Sequence, residues 1–182
     1  MEAVVQSGTA ALPVVGETRA PVVVAEPAQY LTFCLGGEIF AIGILAIKEI
    51  IEYHAVTEVP MMPASVRGVI NLRGAVVPVM DLQVRFGRPA SEVTKRTCIV
   101  IVEVRMGDER QVVGIVVDAV NEVLDIAPSE IEPPPAFGAR IRADFIRGMG
   151  KVRGHFVILL DVDRIFELED LVQLAELPAL TV

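Results

Sequence analysis

The chain has no Trp, two Tyr, two Cys and two His in 182 residues. Each scarcity removes an option. His54 and His155 have no Cys or second His at ligand spacing, which argues against a zinc centre. Cys34 and Cys98 sit singly in apolar, strand-like runs, so the expectation is two buried thiols in a reducing compartment. Long apolar runs are also missing. Val22–Ala25, Cys98–Val102, Gly114–Val117 and Phe156–Leu160 all fall far short of the roughly 20 residues of a spanning helix. The first eighteen residues hold no basic side chain, so a secretory signal is not expected. Positive charge is the minority sign, with 16 Lys and Arg against 24 Asp and Glu, a net charge of −8. That surface repels phosphate backbones and anionic lipid, which argues against a nucleic-acid partner and against direct membrane insertion.

What is present is branched and aliphatic. Apolar residues make up 53% of the chain, and Val and Ile dominate them. A branched Cβ favours pleated strands over helices. Residues 1–27 read as a flexible tail, within which 22–26 could lend an edge strand. Tyr30–Leu35 and Glu38–Ile44 flank Gly36-Gly37, a hairpin signal. Ile47–Glu52 fits a helix by its spacing and a strand by its composition. A short helix is expected at Ala64–Val69, and a hairpin turn at Arg73-Gly74 between Val69–Leu72 and Ala75–Leu82. Gly87–Thr94 reads as a linker. Strands are then expected at Thr97–Arg105, Gln111–Val117, Val120–Ile126, Phe145–Val152 and His155–Leu160. Asp161–Leu177 has the pattern of a helix capped by Asp161 or Asp163 and stopped by Pro178.

The halves repeat. Arg67-Gly68 and Arg73-Gly74 recur as Arg147-Gly148 and Arg153-Gly154, and Val77, Asp81 and Phe86 recur as Val157, Asp161 and Phe166, all at an offset of 80. Upstream, Ile42-Gly43-Ile44 matches Val113-Gly114-Ile115, and Ile47-Lys48-Glu49-Ile50 resembles Val120-Asn121-Glu122-Val123. Each half thus reads as about five short strands with Gly-marked turns, the pattern of a small antiparallel barrel.

Catalytic motifs are weak. Gly148-Met149-Gly150-Lys151-Val152-Arg153-Gly154 contains a glycine string, but a strand and turn follow it where a phosphate-binding loop would open a helix. Asp161-x-Asp163 suits a helix cap better than a metal. The sharpest remaining segment is Asn71-Leu72-Arg73-Gly74. Gly74 suits the turn, and Arg73 is either a solvated tip or a planar donor fork for a partner's carboxylate. Glu49, among isoleucines, reads as a carboxylate pointing to water.

Four stretches resemble the CheW-like family of chemotaxis adaptors: Phe40–Ile50, Arg67–Leu82, Val113–Val120 and Phe145–Gly150. The resemblance covers residues 28–172, and Gly-Val-x-Asn-Leu-Arg-Gly is its specific segment. It implies a mainly β fold of two SH3-like, five-stranded antiparallel barrels packed side by side, with short helices and a C-terminal helix. The barrels are expected at 28–94 and 95–178, the segment 22–26 completing the second. No reaction and no cofactor are implied. The implied role is a cytoplasmic adaptor recruited to membrane-associated arrays. It would join the tip of methyl-accepting receptors to the regulatory domain of the histidine kinase CheA. Arg73 would face the receptor. Ile47, Glu49 and Gly68 would lie on partner-binding surfaces with Asn71 and Leu72, and Gly114 and Gly148 at positions intolerant of substitution. Two readings stay open: a paralogue serving twitching or gliding motility, and a β-barrel enzyme with a site between the halves.

Overall fold

Two exposed glycines and two left-handed arginines set the hairpins. The computed structural model describes residues 26–134 and 143–166. The tail and most of the expected C-terminal helix lie outside them. The strands are β1 (Ala28–Leu35), β2 (Glu38–Gly43), β3 (Ile47–Glu52), β4 (Val66–Leu72), β5 (Ala75–Asp81), β6 (Cys98–Met106), β7 (Glu109–Val117), β8 (Ala119–Ile126), β9 (Ile131–Glu132), β10 (Ile146–Val152) and β11 (His155–Leu160). Single helical turns α1 (Leu82–Arg85) and α2 (Val162–Ile165) follow β5 and β11. Asp81 and Asp161 cap them, each accepting from a backbone N–H two residues on. Gly36 and Gly37 turn β1 into β2 at φ 58° and 84°. At the β4–β5 and β10–β11 hairpins an arginine and a glycine are left-handed in succession: Arg73 at 53° and Gly74 at 87°, then Arg153 at 50° and Gly154 at 80°. Two positive φ values in a row suit the right-handed twist of a two-residue hairpin.

Two expectations change. Ala64–Val69 is not a helix. β4 already begins at Val66 and pairs with β5 through a bulge at Arg67, which disturbs the strand alternation that sequence reading relies on. Gly87–Thr94 is not a loose linker, because the Ser91 N–H and hydroxyl both donate to the buried Asp81 carboxylate. Ile47–Glu52 resolves as a strand.

The fold is mainly β, and its two SH3-like units are built by exchange. One sheet has the order β8-β1-β2-β11-β10-β9 and the other β3-β6-β7-β5-β4. Hairpin β1–β2, from the first half, therefore joins strands of the second half. Hairpin β6–β7, from the second half, joins strands of the first. The division at 94/95 follows the repeat in the sequence, whereas each sheet draws strands from both sides of it. Most pairings are antiparallel. Each exchanged hairpin attaches on one side through an antiparallel ladder, β1 to β8 and β6 to β3, and on the other through a short parallel one, β2 to β11 at Phe40–Ile158 and β7 to β5 at Gly114–Val79.

The exchange also explains the core. Its largest cluster takes Leu31, Phe33, Phe40 and Ile42 from one sheet and Val100, Val102, Val113 and Ile115 from the other. Phe33, Phe40, Phe86 and Phe145 form a chain with ring centroids 5.8–6.3 Å apart. Few aromatics suffice because these four sit where both sheets and α1 meet.

Candidate functional site

The eight residues singled out from sequence divide into a surface group and a buried group. Glu49 lies on β3, at one end of its sheet. Arg73 lies at the β4–β5 turn near the other end. Only a strongly curled sheet brings them together. The Arg73 guanidinium donates to both Glu49 carboxylate oxygens, Nη2 to Oε1 at 3.0 Å and Nη1 to Oε2. That hydrogen bond, with the carboxylate charge behind it, pushes the Arg73 pKa above its ordinary value. The Arg73 side chain is nevertheless 74% exposed, so the pair holds a planar cation in position at the surface. Asn71 fixes the turn from below, its Oδ1 accepting from the Gly74 N–H at 2.9 Å. Leu72 is half-buried against Ile70 and Val77. Glu49, Leu72 and Arg73 share a shallow cleft of about 380 Å3 with Lys48, Val76 and Val112. Ile47 sits just before it on β3, half-buried against the main core.

The three glycines are buried. A Cβ on Gly68 would lie 2.1 Å from the Thr57 carbonyl oxygen, and its φ is 149°. A Cβ on Gly148 would lie 2.5 Å from Ile131 Cγ2 and 3.0 Å from the Glu132 carbonyl oxygen. On Gly114 it would lie 2.7 Å from Ile99 Cγ2. These positions bring backbones together, and substitution there acts first on packing.

A second copy of the ion pair escaped sequence reading. Glu122 on β8 lies 3.8 Å from Arg153 at the β10–β11 turn. Glu122 and Arg153 are the repeat partners of Glu49 and Arg73, so the two offsets together contained this pair. The polar network around Asp81 was also missed. It is 1% exposed and accepts from Arg67, Ser91 and the Gln83 N–H. Burial lowers the Arg67 pKa, but the hydrogen bond to the Tyr53 oxygen and the charge of Asp81 outweigh it, leaving a net rise. Cys34 and Cys98 are half-buried rather than buried. Burial, then the Glu52 carboxylate, pushes the Cys98 thiol up and away from its reactive thiolate form.

A third feature lies between the units, where the Ile44–Ala46 turn crosses from one sheet to the other. A cleft of about 450 Å3 is walled by Ile42, Ile44, Leu45, Leu160 and Val162, with Arg147, Asp161 and Asp163 at its polar side. Leu45 is wholly exposed. An exposed leucine beside an apolar cleft has the character of a docking surface.

Paired SH3-like units with apolar clefts edged by fixed charges have the character of docking surfaces. Comparison with known proteins agrees. The CheW-like domain model matches residues 29–170. "Chemotaxis protein CheW" of Rhizobium meliloti (strain 1021) is 35% identical over 142 residues, covering 78% of this chain and 89% of the relative. The protein of the same name from Treponema pallidum (strain Nichols) is 30% identical over 166 residues, covering 91% and 98%. The crystal structure of scaffolding protein TtCheW from Thermoanaerobacter tengcongensis superposes with a TM-score of 0.71 at 33% identity, covering 82% of this chain and 94% of that one. The chain belongs to the CheW-like family.

Proposed function

We propose that this chain couples the cytoplasmic tip of methyl-accepting chemotaxis receptors to the regulatory domain of the histidine kinase CheA. It does so by binding both, in the cytoplasm at receptor arrays, and catalyses nothing itself. The observation that carries the reading is the exposed Arg73–Glu49 pair at the edge of an apolar cleft. A partner docking there covers Leu72 and Val76 while the guanidinium meets a carboxylate or carbonyl. That arrangement of apolar centre and polar rim is what a moderate, specific interface needs. In this reading Glu49, Asn71, Leu72 and Arg73 are contact or turn-fixing residues and Ile47 supports the strand beneath them. Gly68, Gly114 and Gly148 act through backbone geometry. The inter-unit cleft continues the same surface, because its Ile44–Ala46 wall runs directly into Ile47 and Glu49. One receptor tip lying across both is the simplest occupant.

The enzyme reading finds less support. The described lining of the inter-unit cleft contains no Ser, Thr, Cys, Lys or His. Its two carboxylates each already accept from a backbone N–H, Asp161 from Asp163 at 3.1 Å and Asp163 from Arg105 at 2.8 Å.

The test is co-sedimentation with receptor-containing membranes, with and without CheA. Arg73→Glu places two carboxylates where a pair stood. It is expected to cut receptor-stimulated kinase activity by at least about tenfold. The unfolding midpoint should stay in place, because Arg73 supports no buried group. Normal assembly and kinase activation by this variant would remove Arg73 from the docking surface.

A further inference from the structure

The repeat places equivalent arginines at the two β-bulges, Arg67 on β4 and Arg147 on β10. It also places equivalent aspartates, Asp81 and Asp161, at the following helix caps. In the first copy they meet. Arg67 Nε and Nη2 lie 3.3 and 3.2 Å from Asp81 Oδ2, and Nη1 donates to the Tyr53 hydroxyl at 3.2 Å. The guanidinium is largely buried, with only 19% of the side chain exposed.

In the second copy they do not meet. Asp161 keeps its cap, but the position equivalent to Tyr53 is the fully buried Ile126, which offers no hydroxyl. Arg147 is exposed, and among the described residues it has no ion pair or hydrogen bond. It is the one cation in the described lining of the inter-unit cleft, beside the apolar wall of Ile44, Leu45 and Leu160. A guanidinium presents donors in a rigid fork that suits a carboxylate in two-point contact. Asp161 and Asp163 in the cleft each accept from a backbone N–H, whereas the Arg147 guanidinium has no partner among the described residues.

We infer that Arg147 is a specificity-determining residue of the inter-unit cleft, taking a carboxylate carried beside an apolar side chain on the receptor tip. The inference rests on the reading that the receptor lies across this cleft. Tyr53 against Ile126 is one difference between the two copies around these arginines. One arginine turns inward as a structural tie, and the other is left outward for recognition. The receptor is the occupant rather than the kinase because the cleft wall is continuous with the Glu49–Arg73 strip.

The experiment titrates the full chain against receptor-containing vesicles without kinase, and separately against the CheA regulatory domain. Arg147→Glu should raise the Kd on vesicles about tenfold or more, Arg147→Gln by somewhat less, and Arg147→Lys by about threefold. Raising the salt should weaken the wild type more than Arg147→Gln, which has lost the charge. Binding of the kinase domain should stay within about twofold. All three variants should unfold at the wild-type midpoint, since the side chain is solvated. Leu45→Asp tests the cleft itself. If Leu45→Asp weakens vesicle binding and Arg147→Glu does not, the Arg147 assignment falls while the cleft reading stands. If neither variant changes vesicle binding, the cleft reading falls and takes the Arg147 assignment with it. A loss confined to the kinase domain would overturn the choice of occupant.

Discussion

Gly68→Ala is expected to lower the unfolding free energy by about 3–5 kcal/mol, from two effects that combine. The backbone at Gly68 has φ 149°, where a side chain is strained. The added Cβ would meet the Thr57 carbonyl oxygen at 2.1 Å, and that atom belongs to backbone rather than to a movable side-chain end. Relief therefore requires parting the Thr57–Val69 bridge. Its two hydrogen bonds, 2.9 and 2.8 Å, tie the 53–65 segment to β4. Equilibrium urea denaturation measures the loss. The other two glycines give the internal scale. Gly148 is its repeat partner and faces β9 as Gly68 faces Thr57, but its φ is not left-handed and its closest neighbour is a methyl group. Gly114 meets only isoleucine side chains at close range. The expected order of cost is Gly68, then Gly148, then Gly114, with Gly114→Ala at about 1–3 kcal/mol, an overpacking cost alone. Equal costs at all three would mean that backbone conformation contributes nothing at Gly68. Receptor binding by the folded fraction of Gly68→Ala should stay close to normal, which separates a packing role from a contact role.

How far the sequence could carry the reading follows from which forces act locally. The glycine turns, the branched strands and the repeat are local, and at Gly36-Gly37 and Arg73-Gly74 they forecast β1, β2 and β5 within two residues, while β4 begins three residues before its expected start. The exchange of hairpins is not local. β1–β2 and β6–β7 carry the same apolar pattern, so nothing in the pattern states which sheet each joins. Ala64–Val69 misled because a bulge at Arg67 interrupts the two-residue period. Gly87–Thr94 misled because Gly, Pro and polar residues suggest a linker, whereas Ser91 is 6% exposed and bonded to Asp81. Glu49 read as a carboxylate facing water. Its partner Arg73 comes near only because the sheet curls across β6 and β7, a consequence of tertiary structure. Arg73 was legible as a cation at a hairpin turn; the residues alone left a solvated tip and a donor fork open, and its place on a partner-facing surface came from the family resemblance. Arg147 was legible only as a repeat position. Its freedom appears once Tyr53 and Ile126 are seen to occupy equivalent places beside the two arginines.

Asp81→Ala is expected to cost about 3–5 kcal/mol, the range for removing one partner from a buried ion pair. The carboxylate collects bonds from three directions: Arg67 from β4, Ser91 at 2.8 and 2.9 Å from the segment after α1, and the Gln83 N–H at 3.0 Å. Alanine leaves the last two without their acceptor and Arg67 buried without its counter-charge. Arg67 keeps Tyr53 and the Ser91 carbonyl, which limits the loss. The coupling is separable from the capping. A double-mutant cycle with Arg67→Met should show the pair of changes costing about 2 kcal/mol less than their sum, because the methionine no longer needs the carboxylate. Additive costs would assign the whole effect of Asp81 to its cap and to Ser91. The repeat supplies a control inside the same molecule. Asp161→Ala removes a cap of the same geometry from α2, but its arginine is already free, so about 1 kcal/mol is expected. The difference between these two substitutions reads out, in unfolding free energy, how far the copies have diverged. The first has used its arginine to hold a loop in place, and the second has left its arginine at the mouth of a cleft.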